Sequence, residues 1–133
     1  MLNSEKKKVT WNEFLVMKEQ LNHSGQLLIR IASGSMEPLL SIDSEYLLLP
    51  IFNVSLLRRF DLIVIFRKDR LVCHYLFRPP TPRSESFITR SLFGAFNDPM
   101  VSSDEILGIL QIRMPWYWRC FVVCRLFVIQ IIN

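Results

Sequence analysis

Asp61-Leu62-Ile63-Val64-Ile65-Phe66-Arg67-Lys68-Asp69-Arg70-Leu71-Val72-Cys73-His74-Tyr75-Leu76-Phe77 is the stretch whose reading decides the fold. Two apolar runs rich in β-branched and aromatic residues flank four consecutive charged residues, which reads as two strands joined at a solvated hairpin tip. Working outward, short strands are expected at Leu27 to Ala32, Tyr46 to Leu49, Ser86 to Arg90 and Ile106 to Ile112, with Pro79-Pro80-Thr81-Pro82 as a stiff surface connection. The spacing predicts a mainly β fold without repeats or a second domain.

The two ends differ from this middle. Trp11, Phe14, Met17 and Leu21 recur every three to four residues, which predicts an amphipathic helix ending at His23-Ser24-Gly25, although Lys18 falls on the same arc. This is a helix pattern and not the uninterrupted apolar core of a secretory signal. His23 is read as a helix-terminal cation with no catalytic role. The tail Met114 to Asn133 is apolar but carries Arg119 and Arg125, which interrupt any run of the roughly 20 apolar residues a spanning helix needs. Three accounts of it stand: a helix packed on the domain or a partner, a terminal strand, and a segment whose tryptophans and arginines sit at lipid headgroups. The organisation expected is a single domain over 1–133. It comprises an amphipathic helix at 1–25, a β core at 26–112 and an apolar segment at 113–133.

Composition narrows the function classes. A chain of 133 residues, half of them hydrophobic, can bury a real core and is not disordered. The net charge of +4 comes from Lys6-Lys7-Lys8 and scattered arginines, with no basic face interleaved with aromatics. That argues against a nucleic-acid partner and fits a negatively charged membrane surface somewhat better. Cys73, Cys120 and Cys124 lack the close ligand pairs of a zinc site, so no metal and no cofactor is expected. An odd number of cysteines among apolar neighbours points to reduced thiols and a cytoplasmic setting, at most peripheral at the membrane.

The residues that carry chemistry begin with Ser33-Gly34-Ser35-Met36-Glu37-Pro38, after the apolar Leu27-Leu28-Ile29 and before Leu39-Leu40. Gly34 is free to take φ values closed to other residues, and Pro38 fixes its own φ and biases Glu37 away from helix. The segment is therefore a shaped loop, either an ordinary turn or one that presents a serine hydroxyl. Met36 would pack under the turn or wall a substrate pocket.

This box resembles the nucleophile box of the signal peptidase I and LexA-like serine peptidases, with Ser35 as the nucleophile. The resemblance implies coiled antiparallel sheets, no cofactor, and a general base further along the chain. Many members use lysine, but the lysine available after Ser35 is Lys68, at the expected hairpin tip, where an ammonium stays protonated. His74 lies instead within the second strand, and imidazole is suited to general-base work. Cys73, its neighbour, points to the opposite face of an alternating strand. The pair of strands looks like the one that carries a histidine in the Ser-His branch of the family, including small forms without an amino-terminal membrane anchor.

Relatives continue with Leu-Thr-Arg/Lys-Gly-Asp-Asn, where this chain has Thr89-Arg90-Ser91-Leu92-Phe93. A supporting carboxylate is lost there, and Asp98 is the remaining candidate to orient His74. Asp98 otherwise caps the turn before Pro99. The family further implies an oxyanion site at the Ser35 N–H, supplemented by the Ser33 hydroxyl; Ser33 alternatively serves as a turn hydroxyl. The function expected is that of a serine endopeptidase acting on a peptide or precursor protein laid along a sheet edge, with a pocket for small side chains. A second expectation is a degenerate relative that binds a peptide or assembly partner without cutting it. LexA-like self-cleavage fits less well, since the N-terminal segment has no room for a DNA-binding domain and no evident Ala-Gly site.

Overall fold

The computed structural model describes residues 8–32, 34–79, 86–94 and 97–132, with the backbone alone for 126–132. Among these residues the elements run α1 (Trp11–Ser24), β1 (Leu27–Arg30), β2 (Glu45–Leu49), β3 (Leu62–Arg67), β4 (Arg70–Arg78), β5 (Ile88–Arg90), β6 (Ile106–Leu110) and α2 (Trp116–Ile132). The strands form one open antiparallel sheet in the order β1-β2-β6-β3-β4-β5. The protein is mainly β with a helix at each end, as the strand spacing predicts.

The central hairpin follows directly from its charged tip. Arg67 pairs with Arg70, and the two residues between them, Lys68 and Asp69, take φ of 49° and 60°. Positive φ at both central positions is the type I′ geometry, whose twist matches that of the flanking strands. Lys68 is exposed at this tip. Along β3 the side chains alternate between two apolar layers, and each layer is filled from neighbouring strands. Leu62 and Val64 meet Tyr75, Leu107, Phe14 and Leu21 on the helix-covered face; Ile63 and Ile65 meet Leu76, Phe87, Val101 and Ile106 on the other.

Helix α1 is capped at both ends. The Thr10 hydroxyl accepts a hydrogen bond from the Glu13 amide at 3.1 Å, a side-chain N-cap. Gly25 ends the helix at φ 80° and donates to the Leu21 carbonyl at 2.9 Å. The buried Phe14 and Leu21 hold α1 against the sheet. It packs on β6 at Gly108, where an added Cβ would come within 2.6 Å of the Leu49 carbonyl oxygen and 2.9 Å of Leu21 Cδ2. The glycine is needed there for space.

Three strand boundaries depart from the sequence reading by two residues. The first strand ends at Arg30 rather than Ala32, because the chain turns back at Asp43, φ 64°, whose amide reaches the Ile31 carbonyl. The fifth begins at Ile88, with Phe87 forming a lone bridge to Val101. The last stops at Leu110, although Gln111 still donates to the Leu47 carbonyl. The tail is helical, which removes the strand account of it. The Pro115 carbonyl accepts from both the Trp118 and Arg119 amides and starts the helix, and Trp118 and Val122, four residues apart, pack on the core. No helix among the described residues is long and apolar enough to cross a membrane.

Candidate functional site

The serine box folds as a short 3-10 turn over Gly34–Met36, just beyond β1. Glu37 donates to the Gly34 carbonyl and Leu40 to the Met36 carbonyl, so the turn is held by its own backbone. Gly34 does not adopt positive φ, contrary to the reading of the box as a loop that exploits glycine's freedom. A 3-10 turn runs through the ordinary right-handed region, and a Cβ at Gly34 would meet its nearest atom, Glu37 Oε2, at 3.4 Å. Met36 is 1% exposed within the larger core cluster. Of its two expected roles it takes the first, packing beneath the turn, so it does not wall an open pocket. Ser33 lies outside the described residues.

The turn packs against β4, the strand that carries His74. It is fixed there from the third side by the loop after β5. The Leu92 amide donates to the Ser35 carbonyl at 3.1 Å, and the Leu92 side chain is 1% exposed in the same core cluster as Met36. Thus Leu92 holds the serine turn by its backbone and packs beside it in the core. Phe93 continues the connection outward, packing edge-on against Trp118 and Phe121 of α2 at 6.2 and 5.8 Å.

His74 and Asp98 meet directly, with His74 Nδ1 2.6 Å from Asp98 Oδ2. The fold makes this contact in two steps. Strand alternation sends His74 to the face opposite Cys73 and Tyr75, and residues 97–101 return antiparallel to β5. The Asp98 amide donates to the Thr89 carbonyl, Phe87 and Val101 exchange backbone bonds, and Arg67 Nη2 donates to the Pro99 carbonyl. Thr89 pairs with Leu76 across the β4–β5 ladder, which puts it on the His74 face, and its hydroxyl donates to the same Asp98 oxygen at 2.8 Å. Arg67 Nη1 approaches that oxygen to 3.9 Å.

These partners set the electrostatics. Burial pushes the Asp98 carboxyl up, but the hydrogen bond and charge of His74, the Thr89 hydroxyl and the Arg67 guanidinium outweigh it and hold the group below the usual carboxylate range. An ionised carboxylate can only accept, so Nδ1 carries the shared proton, which leaves Nε2 as the ring nitrogen that can act on another group. The His74 side chain is 13% exposed, shielded but reachable. Cys73 faces the opposite way, and desolvation pushes its thiol up to about 12.

The sequence reading named Ser35, His74 and Asp98, and the fold brings the last two together. His74 and Asp98 are in direct contact, and the Ser35 turn packs against the strand that carries His74, with Met36 in the helix-covered core on the face opposite the imidazole. Thr89, Arg67 and Leu92 were missed as members of the site. Thr89 had a signal, since it sits in an expected strand beside the His74 strand; Arg67 was hidden in the charged tip, and Leu92 looked like a loss. Among the described residues, no group of three or more His, Cys, Asp or Glu side chains is placed to hold a metal ion. Comparison with protein-family models, curated proteins and solved structures gave no match to the chain.

Proposed function

We propose that the protein is a serine peptidase acting on a peptide or precursor protein, similar in its site to the Ser-His branch of the signal peptidase and LexA-like enzymes. The observation that carries the reading is the 2.6 Å His74–Asp98 contact on the strand against which the Ser35 turn packs. In this reading His74 Nε2 takes the proton of the Ser35 hydroxyl as Oγ bonds to the substrate carbonyl carbon. The same proton then passes to the leaving amine as the peptide C–N bond breaks, giving an acyl-enzyme. Water, deprotonated in turn by His74, hydrolyses the ester and restores Ser35. Asp98, held by Thr89 and Arg67, fixes the tautomer and stabilises the imidazolium that forms at each step.

Lysine chemistry is disfavoured on the same ground. Lys68 stands exposed at the hairpin tip. The test is hydrolysis of a panel of leader-type peptides with small residues before the cleavage point, followed by mass spectrometry. Turnover by the full chain that vanishes in Ser35→Ala supports the reading. A folded protein that binds such peptides and leaves them intact contradicts it and favours the peptide-binding alternative.

A further inference from the structure

Three guanidinium groups from separate parts of the chain converge on two phenyl rings of the helix-covered face. The Arg59 guanidinium carbon lies 5.1 Å from the Phe60 ring centre and 4.7 Å from that of Phe77. Arg90 lies 4.0 Å from the Phe77 centre, and Arg119, from α2, 5.8 Å from the Phe60 centre. Phe60 stacks on Tyr75 at 6.2 Å; Arg59 and Arg90 act electrostatically on the Tyr75 hydroxyl, to which the Arg90 side chain also donates a hydrogen bond. The rings hold the cations without neutralising them.

The ion pairs among the described residues join Arg30 to Glu45, Arg67 and His74 to Asp98, and Arg113 to Asp61; none includes Arg59, Arg90 or Arg119. Arg90 is 8% exposed, and although its Nε donates to Asn97 Oδ1 at 2.6 Å, its buried Nη1 has no hydrogen-bond partner among the described residues. A buried donor left unpaired costs stability, and it marks where a ligand acceptor belongs. Arg59 is exposed and Arg119 half-buried, so the cluster opens to solvent. Several planar donors around one opening match the oxygens of a phosphate.

Helix α2 indicates what carries that phosphate. Trp116 and Val123 stand three residues before and four after Arg119, hence on its side of the helix. Both are exposed, at 75% and 41%, as is Tyr117 at 56%. Arg119 donates through Nε to the Met114 carbonyl at 2.8 Å but has no carboxylate partner among the described residues, and large apolar side chains beside such a cation on a surface helix fit the boundary between lipid headgroups and acyl chains. We propose that Arg59, Arg90 and Arg119 bind the phosphate of an anionic phospholipid, with Trp116, Tyr117 and Val123 seated in the interface. This stands independently of the peptidase reading.

The experiment is co-sedimentation of the full chain with phosphatidylcholine vesicles, with and without phosphatidylglycerol. Binding should require phosphatidylglycerol and should fall at least about tenfold in the double variant Arg59→Gln, Arg119→Gln. The charge-matched control Arg70→Gln, Arg78→Gln, on exposed positions of β4, should change it less than about twofold. Inorganic phosphate should release bound protein more than chloride at matched ionic strength. Ser35→Ala should bind as the native chain does, which separates this outcome from failure of the hydrolytic reading. Equal losses in the two double variants would overturn the site in favour of diffuse charge. Binding of inorganic phosphate without binding of vesicles would overturn the assignment to a lipid.

Discussion

His74 and Cys73 are adjacent on β4 and live in opposite chemical worlds. The imidazole faces a carboxylate, a hydroxyl and a guanidinium, with Asp98 held ionised beside it. The thiol, one residue earlier, faces the helix-covered core, where burial alone pushes it up to about 12. A strand of period two makes such a division, provided each face meets the right partners. The difference shows that nucleophilic potential in this protein is decided by which face of one strand a side chain occupies, more than by its intrinsic reactivity.

The sharpest way to break that contrast is to remove the polar side of it. His74→Ala should lower peptide turnover by roughly 10⁴-fold or more while thermal unfolding stays cooperative, because Ser35 then lacks a base. Retained turnover would move the base elsewhere. Asp98→Asn keeps the shape but loses the charge and favours the wrong tautomer. A fall of about 10²- to 10⁴-fold in kcat is expected, read by steady-state kinetics.

Acid titration sharpens the comparison on stability. The folded-state pKa of Asp98 lies below its ordinary value of 3.8, so its contribution is present above that value and is lost as pH falls through the lowered one. Chemical denaturation of Asp98→Asn should therefore run below the native chain at neutral pH and converge with it under strongly acidic conditions. The smallest effect belongs to the apolar side. Cys73→Ala should leave turnover within about twofold, and in the native chain a thiol reagent should modify the exposed Cys120 and Cys124 long before Cys73.

What could be read from the sequence was whatever depends on local pattern. The N-terminal helix, its Gly25 end and the hairpin around Lys68 and Asp69 follow from spacing and from residues that turn the chain, whereas the Thr10 cap at the helix start was not read. His74 and Asp98 were nameable as residue types. Their contact was not, since it needs residues 97–101 to return alongside β5. Thr89 and Arg67 depend on that same return and on cross-strand register. Leu92 was read as the loss of a supporting loop because its two actual services, a backbone bond to Ser35 and a place in the core, leave no trace in a linear motif. The tail stayed ambiguous because its β-branched residues favour strand, while the choice was made by Trp118 and Val122 packing at helical spacing.

The central claim is that the His74–Asp98 pair makes Ser35 a nucleophile. Incubation of the folded full chain with a fluorophosphonate, followed by peptide mapping, tests it most directly. The account predicts one adduct on Ser35, absent in Ser35→Ala and strongly slowed in His74→Ala. An unlabelled native chain, or labelling at the same rate with His74 removed, would contradict it.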